Sequence, residues 1–270
     1  MQTSAQPVVK DLVLIGGGHS HVAVLKNFGM RPMPGVRLTM ICREIHTPYS
    51  GMLPGLVAGH YTFDEAHIDL RPLCRFAGAR LYHDEAVNLD LTGQWVHCLG
   101  RPPVKYDILS INIGSTPRTS DVPGADGNVV PVKPINQFMA HWQCLVERVL
   151  ARNDGVRIGA VGTGAGGVEM LLAVQYRLRQ EFRARGQTDN HISYSLFGDS
   201  GDVLTGHNRR ARRAFERVLS ERHVQVFASE AVAEVSRGRV VTARGVEHAL
   251  DEILWVTAAG AAPWLAGTGL

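Results

Sequence analysis

Hydrophobic and polar positions follow one order twice along this chain. In residues 11–29 (DLVLIGGGHSHVAVLKNFG) an apolar run from Leu12 to Ile15 meets a glycine cluster. Beyond it, Val22, Leu25 and Phe28 recur at the spacing of one helical face. That order predicts a strand, a tight turn and a helix. Residues 156–182 (VRIGAVGTGAGGVEMLLAVQYRLRQEF) repeat it, with a strand ending at Val161, glycines at 162, 164, 166 and 167, then Val168, Leu171, Leu172, Leu178 and Phe182. Each copy also closes alike. Residues 106–117 (YDILSINIGSTP) and 251–263 (DEILWVTAAGAAP) both pass from an acidic residue through an apolar strand to Gly-x-x-Pro. Gly16 to Gly114 and Gly162 to Gly260 both span 98 positions, and Gly16, Gly18, Gly114 and Pro117 recur 146 positions later. Matching ends at a matching distance predict two similar units.

Within each unit a second strand is expected, at 37–41 (RLTMI) and at Ile192–Phe197 (ISYSLF), followed by β-rich stretches at 80–91 and 95–99, then at Val224–Phe227 and 231–243. Strands separated by helical patterns predict parallel βαβ units covered on both faces. The expected fold class is therefore α/β: two Rossmann-like dinucleotide-binding domains, doubly wound, with β-meander insertions. The division falls at 1–117 and 118–270. A connector rich in Pro, Gly and Asp (118–136, RTSDVPGADGNVVPVKPIN) and a helix over 138–150 open the second domain.

Composition narrows the class. A chain of 270 residues, 45% hydrophobic and 20% charged, carries enough apolar surface for ordinary cores and excludes disorder or a repetitive fibre. The surplus of +3, from 28 basic and 25 acidic residues, is too small to point to nucleic acid, and none is expected as a partner. No stretch approaches the ~18 uninterrupted apolar residues of a spanning helix. The start (MQTSAQPVVKDLVLIGGGHS) lacks the basic-then-apolar order of a signal peptide, so a cytoplasmic chain with no transmembrane segment is expected. Cys42, Cys74, Cys98 and Cys144 form no close pair and are expected to be buried, reduced and structural.

The glycines carry the chemistry. After a strand, G-x-G-x-x-G serves phosphate: one glycine permits the bend, the next lets backbone approach a diphosphate, and the third lets helix pack closely on strand. Gly162, Gly164 and Gly167 satisfy the pattern in full. The first turn has Gly16, Gly17 and Gly18 but His21 at the third place, where a side chain must push the helix back or point outward. For the acid that would bind ribose hydroxyls, the first unit offers Glu44, equally readable as a loop acid. The second offers Asp199, equally readable as an exposed turn residue. The run Arg209, Arg210, Arg212, Arg213 and Arg217 could hold a 2′-phosphate, favouring NADPH, or could simply be a solvated helix face. His19 and His21 also spell a His-x-His pair, but no compact set of acids and histidines follows them, and no metal site is expected.

The segments GGGHSHVAVL, RLTMICREIHTPYSGMLPG, YDIL-x4-GS-x-P, VGTGAGGVEM and TAAGAAPWL together resemble the FAD-dependent pyridine nucleotide-disulfide reductase superfamily, including type II NADH dehydrogenases. More narrowly, GGGHSHV and TPYSGMLPGLVAGHYT resemble the flavoprotein module fused to selenide, water dikinases. The resemblance implies FAD on the first unit, with Gly16, Gly17, Gly18, His19 and Ser20 at the diphosphate and Arg43 near the adenosine. Pro48, Tyr49, Ser50 and Gly51 would lie near the isoalloxazine or ribityl chain, with Gly114 and Ser115 closing the site. It implies NAD(P)H on Gly162, Gly164, Gly167, Glu169 and Gly260 of the second. The chemistry would be the flavin's, so no catalytic side chain is assigned. Family members that reduce disulfides carry a cysteine pair beside the flavin. None stands in the region from Tyr49 to Pro54, so electrons would leave the flavin directly, to a quinone, oxygen, another small oxidant or a partner. A selenide, water dikinase, fused or separate, is the partner implied. In the family the chain returns after the second unit to complete the first. Residue 270 is expected to fall before that return, leaving the FAD domain incomplete and a non-catalytic nucleotide-binding or assembly module as the alternative.

Overall fold

The computed structural model describes residues 7–152, 154–257 and 259–270. Residues 1–6, part of the start read above for a signal peptide, lie outside the described residues, as do Asn153 and Ala258. The chain forms two compact units. The first holds the residues up to Tyr49 together with Phe63–Ser115 and Ala261–Leu270, and the second holds Ser50–Thr62 and Thr116–Gly260.

This division departs from the chain-order boundary at 117/118 in two places, each for a packing reason. The short helix Leu53–Ala58 buries Leu53, Val57 and Ala58 in the core of the second unit. Beyond Gly260 the chain re-enters the first unit, where Trp264 packs on the cluster around Val13, Ile15 and Val96. Ala261–Leu270 thus pack with the first unit, ahead of the return expected beyond residue 270.

The first unit is built on a parallel sheet in the order Arg80–His83, Val36–Cys42, Lys10–Ile15, Ile108–Ile111. Successive side chains of a strand point to opposite faces. Val13, Ile15 and Ile41 accordingly meet Ala86, Leu89 and Val96 of an antiparallel meander (Ala86–Asp90, Trp95–Cys98, Val104–Lys105). Leu14, Leu38, Met40 and Cys42 meet Leu25 of helix His19–Met30 and Leu70 and Cys74 of helix Leu70–Phe76 on the other face.

The second unit repeats the plan with one strand more, in the order Val130–Pro131, Glu252–Trp255, Val156–Val161, Ile192–Phe197, Val224–Phe227, all parallel. Ile158, Ala160, Leu196 and Leu254 face the helices Ile135–Leu150, Ala165–Ala184 and Arg209–Glu221. Val161, Phe197, Ile253 and Trp255 face the meander Val232–Ser236, Arg239–Thr242, Glu247–Ala249. At roughly 1.5–3 kcal/mol for each fully buried aliphatic side chain, these two-sided clusters are the main stabilising term of each unit. Both units are Rossmann-like, with helices on one face of the sheet and the meander covering the other.

The acidic residue that opens each closing stretch has the same task. Asp107 accepts the backbone N–H of Asp11 (2.7 Å), and Asp251 accepts that of Arg157 (2.9 Å), tying the last strand to the start of the first. Asp251 is held harder. Burial pushes its carboxyl up, but the side chains of Arg157 and Arg152 and the Arg157 N–H outweigh that and hold it well below the usual carboxylate range.

Candidate functional site: two glycine turns

Gly16 ends the strand Lys10–Ile15 with φ +89°, and a Cβ there would overlap the backbone carbonyl of Asn112, so conformation and space both require glycine. The turn is pinned to both flanking strands: Gly16 N–H donates to Ile41 (2.8 Å) and Gly18 N–H to Asn112 (3.1 Å). A Cβ on Gly17 would stand 2.5 Å from Leu70 Cδ1. Helix His19–Met30 then starts from Gly18 with no side-chain cap, and His19 and Ser20 are exposed. Uncapped N–H groups at an open helix start suit an anion.

His21 does not point outward. It is 1% exposed, with Nδ1 2.7 Å from the Gly16 carbonyl and Nε2 2.9 Å from Ser110 Oγ. The carbonyl can only accept, so Nδ1 carries the proton and Nε2 accepts from the Ser110 hydroxyl. With both nitrogens engaged, His21 has none left for a metal. Burial lowers its pKa, opposed by the bond to Gly16.

The second turn keeps all three glycines. Gly162 has φ +127°, and a Cβ on it would overlap the Val256 carbonyl. Gly164, the uncapped N-cap of Ala165–Ala184, has nothing among the described residues within 4 Å of where its Cβ would stand. At Gly167 a Cβ would overlap the Gly162 carbonyl, so here helix and strand touch backbone to backbone. The donor-rich turn, the uncapped helix start and the open face at Gly164 fit a nucleotide diphosphate. In the first unit the turn and helix start fit likewise.

The other expected residues are divided between the two units. Tyr49 is exposed and its ring lies 4.9 Å from that of His19, while Pro48 is half-buried on the strand His46–Pro48. Ser50 and Gly51, both exposed, belong to the second unit. Arg43 and Glu44 are exposed and paired at 3.5 Å, and Arg43 also reaches Glu85. Gly114 is exposed at φ +77°, next to half-buried Ser115. Glu169 is exposed on the first turn after Gly167, and Gly260 pairs in register with Thr116. Asp199 is exposed and accepts from the hydroxyl of Ser200 (2.9 Å).

Arg209, Arg210, Arg213 and Arg217 are exposed on a helix whose Asn208 cap accepts from Ala211 N–H. Arg212 turns back to pair with Asp202. Two residues carried no expected role in the sequence, Ser110 and Asn112. Their signal was polarity at alternate positions of an otherwise apolar closing strand, where the second copy has Val256 and Ala258.

All four cysteines are free. Cys42 and Cys74 are buried, and burial pushes their thiols up to about 12 and about 11. Cys98 is half-buried and also raised by burial, whereas Cys144, against the expectation of burial, lies on the exposed side of helix Ile135–Leu150.

The family model for pyridine nucleotide-disulphide oxidoreductases matches residues 10–267. A sulfide-quinone reductase of Aquifex aeolicus is 24% identical over 240 residues, 87% of this chain and 54% of that protein. Among solved structures, a Plasmodium falciparum NDH2 in complex with NADH matches with a TM-score of 0.83 at 15% identity, over 96% of this chain and 57% of that one. The sulfide:quinone oxidoreductase of Aquifex aeolicus matches at 0.75 and 19%, over 97% and 61%. The chain thus spans a little over half the length of these relatives.

Proposed function

The chain belongs to the pyridine nucleotide-disulphide oxidoreductase family, and from that premise we propose that it is an FAD-dependent NAD(P)H oxidoreductase, with FAD on the first unit and NAD(P)H on the second. The family is FAD-dependent, and NADH and NADPH complexes stand among the structural relatives. The observation that carries the reading is the doubled turn: two uncapped helix starts, each behind a glycine that no other residue could replace.

In this reading Gly16, Gly17, Gly18, His19 and Ser20 hold the FAD diphosphate. Arg43 and Glu44 serve its adenosine side. Pro48, Tyr49, Ser50, Gly51, Gly114 and Ser115 serve the flavin side. Gly162, Gly164, Gly167, Glu169, Asp199 and Gly260 hold NAD(P)H. When bound, the flavin supplies the two-electron chemistry, taking hydride from the reduced nicotinamide and releasing electrons to an acceptor. The protein's part is to bind, orient and exclude water.

Electrons leave without a cysteine relay. A thiolate is the reactive form, and Cys42 and Cys74, at about 12 and about 11, stay protonated at neutral pH. Quinones and oxygen are the acceptors to test first. Among the described residues no helix is long and apolar enough to cross a membrane, and we place the protein in the cytoplasm. The finer resemblance makes a selenide, water dikinase, fused or separate, its proposed partner.

Purified protein should show flavin absorbance that bleaches on anaerobic addition of NADH or NADPH, and whichever bleaches faster at equal concentration sets the nucleotide preference. A yellow protein that stays yellow with both would leave a binding module instead. The division of labour has its own test. Gly164 has open space and an ordinary φ, so Gly164→Leu should leave folding and bound FAD unchanged while weakening NADH binding about 100-fold or more by titration. Equal loss of both ligands contradicts it.

A further inference from the structure

The second glycine of such a turn leaves room for a diphosphate to approach the backbone. At Gly164 that room is open. At Gly18 it is filled: a Cβ there would overlap the carboxamide of Asn112, Oδ1 nearest and Nδ2 at 2.5 Å. The filling group comes from the neighbouring strand. Ser110 and Asn112, two apart on Ile108–Ile111 and its continuation, both reach the turn, Ser110 to His21 and Asn112 to Gly18. Side chains two apart on a strand share a face. The Asn112 backbone is itself fastened there, its N–H donating to Ile15 (2.8 Å) and its carbonyl accepting from Gly18 (3.1 Å).

The carboxamide is half-buried and has no hydrogen-bond partner among the described residues. A half-buried amide held over a phosphate turn with its donors unused is poised for an acceptor on a ligand.

We propose that Asn112 is a nucleotide-binding residue of the first unit, its Nδ2–H donating to a diphosphate oxygen of the dinucleotide beside Gly18. This rests on the reading of the first unit as the FAD site. The second copy has alanine at the matching position, with no carboxamide to offer, so the two turns differ by more than their third position.

The test is FAD titration of the flavin-stripped protein, followed by fluorescence quenching, with NADH affinity and thermal midpoint measured alongside. Asn112→Ala should weaken FAD about tenfold, as expected for loss of one hydrogen bond to a charged group. Asn112→Asp, the same shape with a negative charge, should weaken it about 100-fold or more. In both, NADH affinity and the midpoint of the FAD-free chain should stay at wild-type values, and Asn112→Ser should recover part of the affinity. Asn112→Ala binding FAD as tightly as wild type, or more tightly, overturns the proposal alone, because the carboxamide would then be filler or obstruction. A wild-type chain that takes up no FAD overturns the reading beneath it as well.

Discussion

The two turns begin from the same sequence order and solve the meeting of helix and strand differently. In the second unit Gly167 brings the two backbones into contact, and Val256 lies beside the turn. In the first, His21 enters the same space and replaces direct contact by a polar link, from the Gly16 carbonyl through the imidazole to Ser110. At the opposite end of each sheet the copies agree, with Asp107 and Asp251 both clamping the first strand. Duplicated units thus keep their closing ties and diverge where a ligand would be held. A glycine is replaceable only when the neighbouring strand supplies a partner for what replaces it.

The largest effect should come from carrying the first unit's solution into the second. Gly167→His places a side chain against the Gly162 carbonyl with no serine opposite, and should cost about 4 kcal/mol or more of stability and abolish NADH binding. Thermal denaturation with an NADH titration checks it, and a well-folded variant that still binds NADH would erase the contrast between the turns.

The reverse exchange should be milder. His21→Gly leaves a cavity and two unpaired buried groups, at about 2–4 kcal/mol. It should also remove an acid sensitivity. The His21 pKa is lowered on folding from about 6.5, so its contribution is present above that pH and lost as pH falls toward the lowered value. The denaturation midpoint of the wild type should therefore fall from pH 7 to pH 5 by more than that of His21→Gly, and parallel curves would break the assignment.

The smallest effect tests the shared end. Asp251→Asn should cost about 1–2 kcal/mol, limited by the exposure of its arginine partners. Asp107→Asn should cost less, because its ion pair with Lys10 is a weak one at 3.5 Å. Asp251 is depressed on folding, so its contribution is present above about pH 4 and lost as pH falls below. Denaturant midpoints between pH 5 and pH 2.5 should show Asp251→Asn converging on wild type at the acid end.

Much of this was legible in the chain before any coordinates. The turns, their helices, the second strands and the duplicated closing stretches follow from local order, because strand and helix periodicity and the need for glycine at positive φ are short-range effects. The site around the first turn was less legible. Whether His21 pushes the helix back or points outward was left open because nothing near it in sequence offers a partner, and the partner is Ser110, 89 positions away. Asn112 was overlooked for the same reason, since its importance lies in reaching Gly18 from another strand.

The sequence by itself determined that there are two Rossmann-like units, where each glycine turn falls, and which residues alternate between the two faces of each sheet. Only the tertiary structure decided that Leu53–Ala58 serves the second unit and Trp264 the first, that each meander packs on one face of its sheet, and that Ser110 and Asn112 reach the first turn. Periodicity reports which side of an element is apolar, but it does not report which distant strand will come to lie against that side.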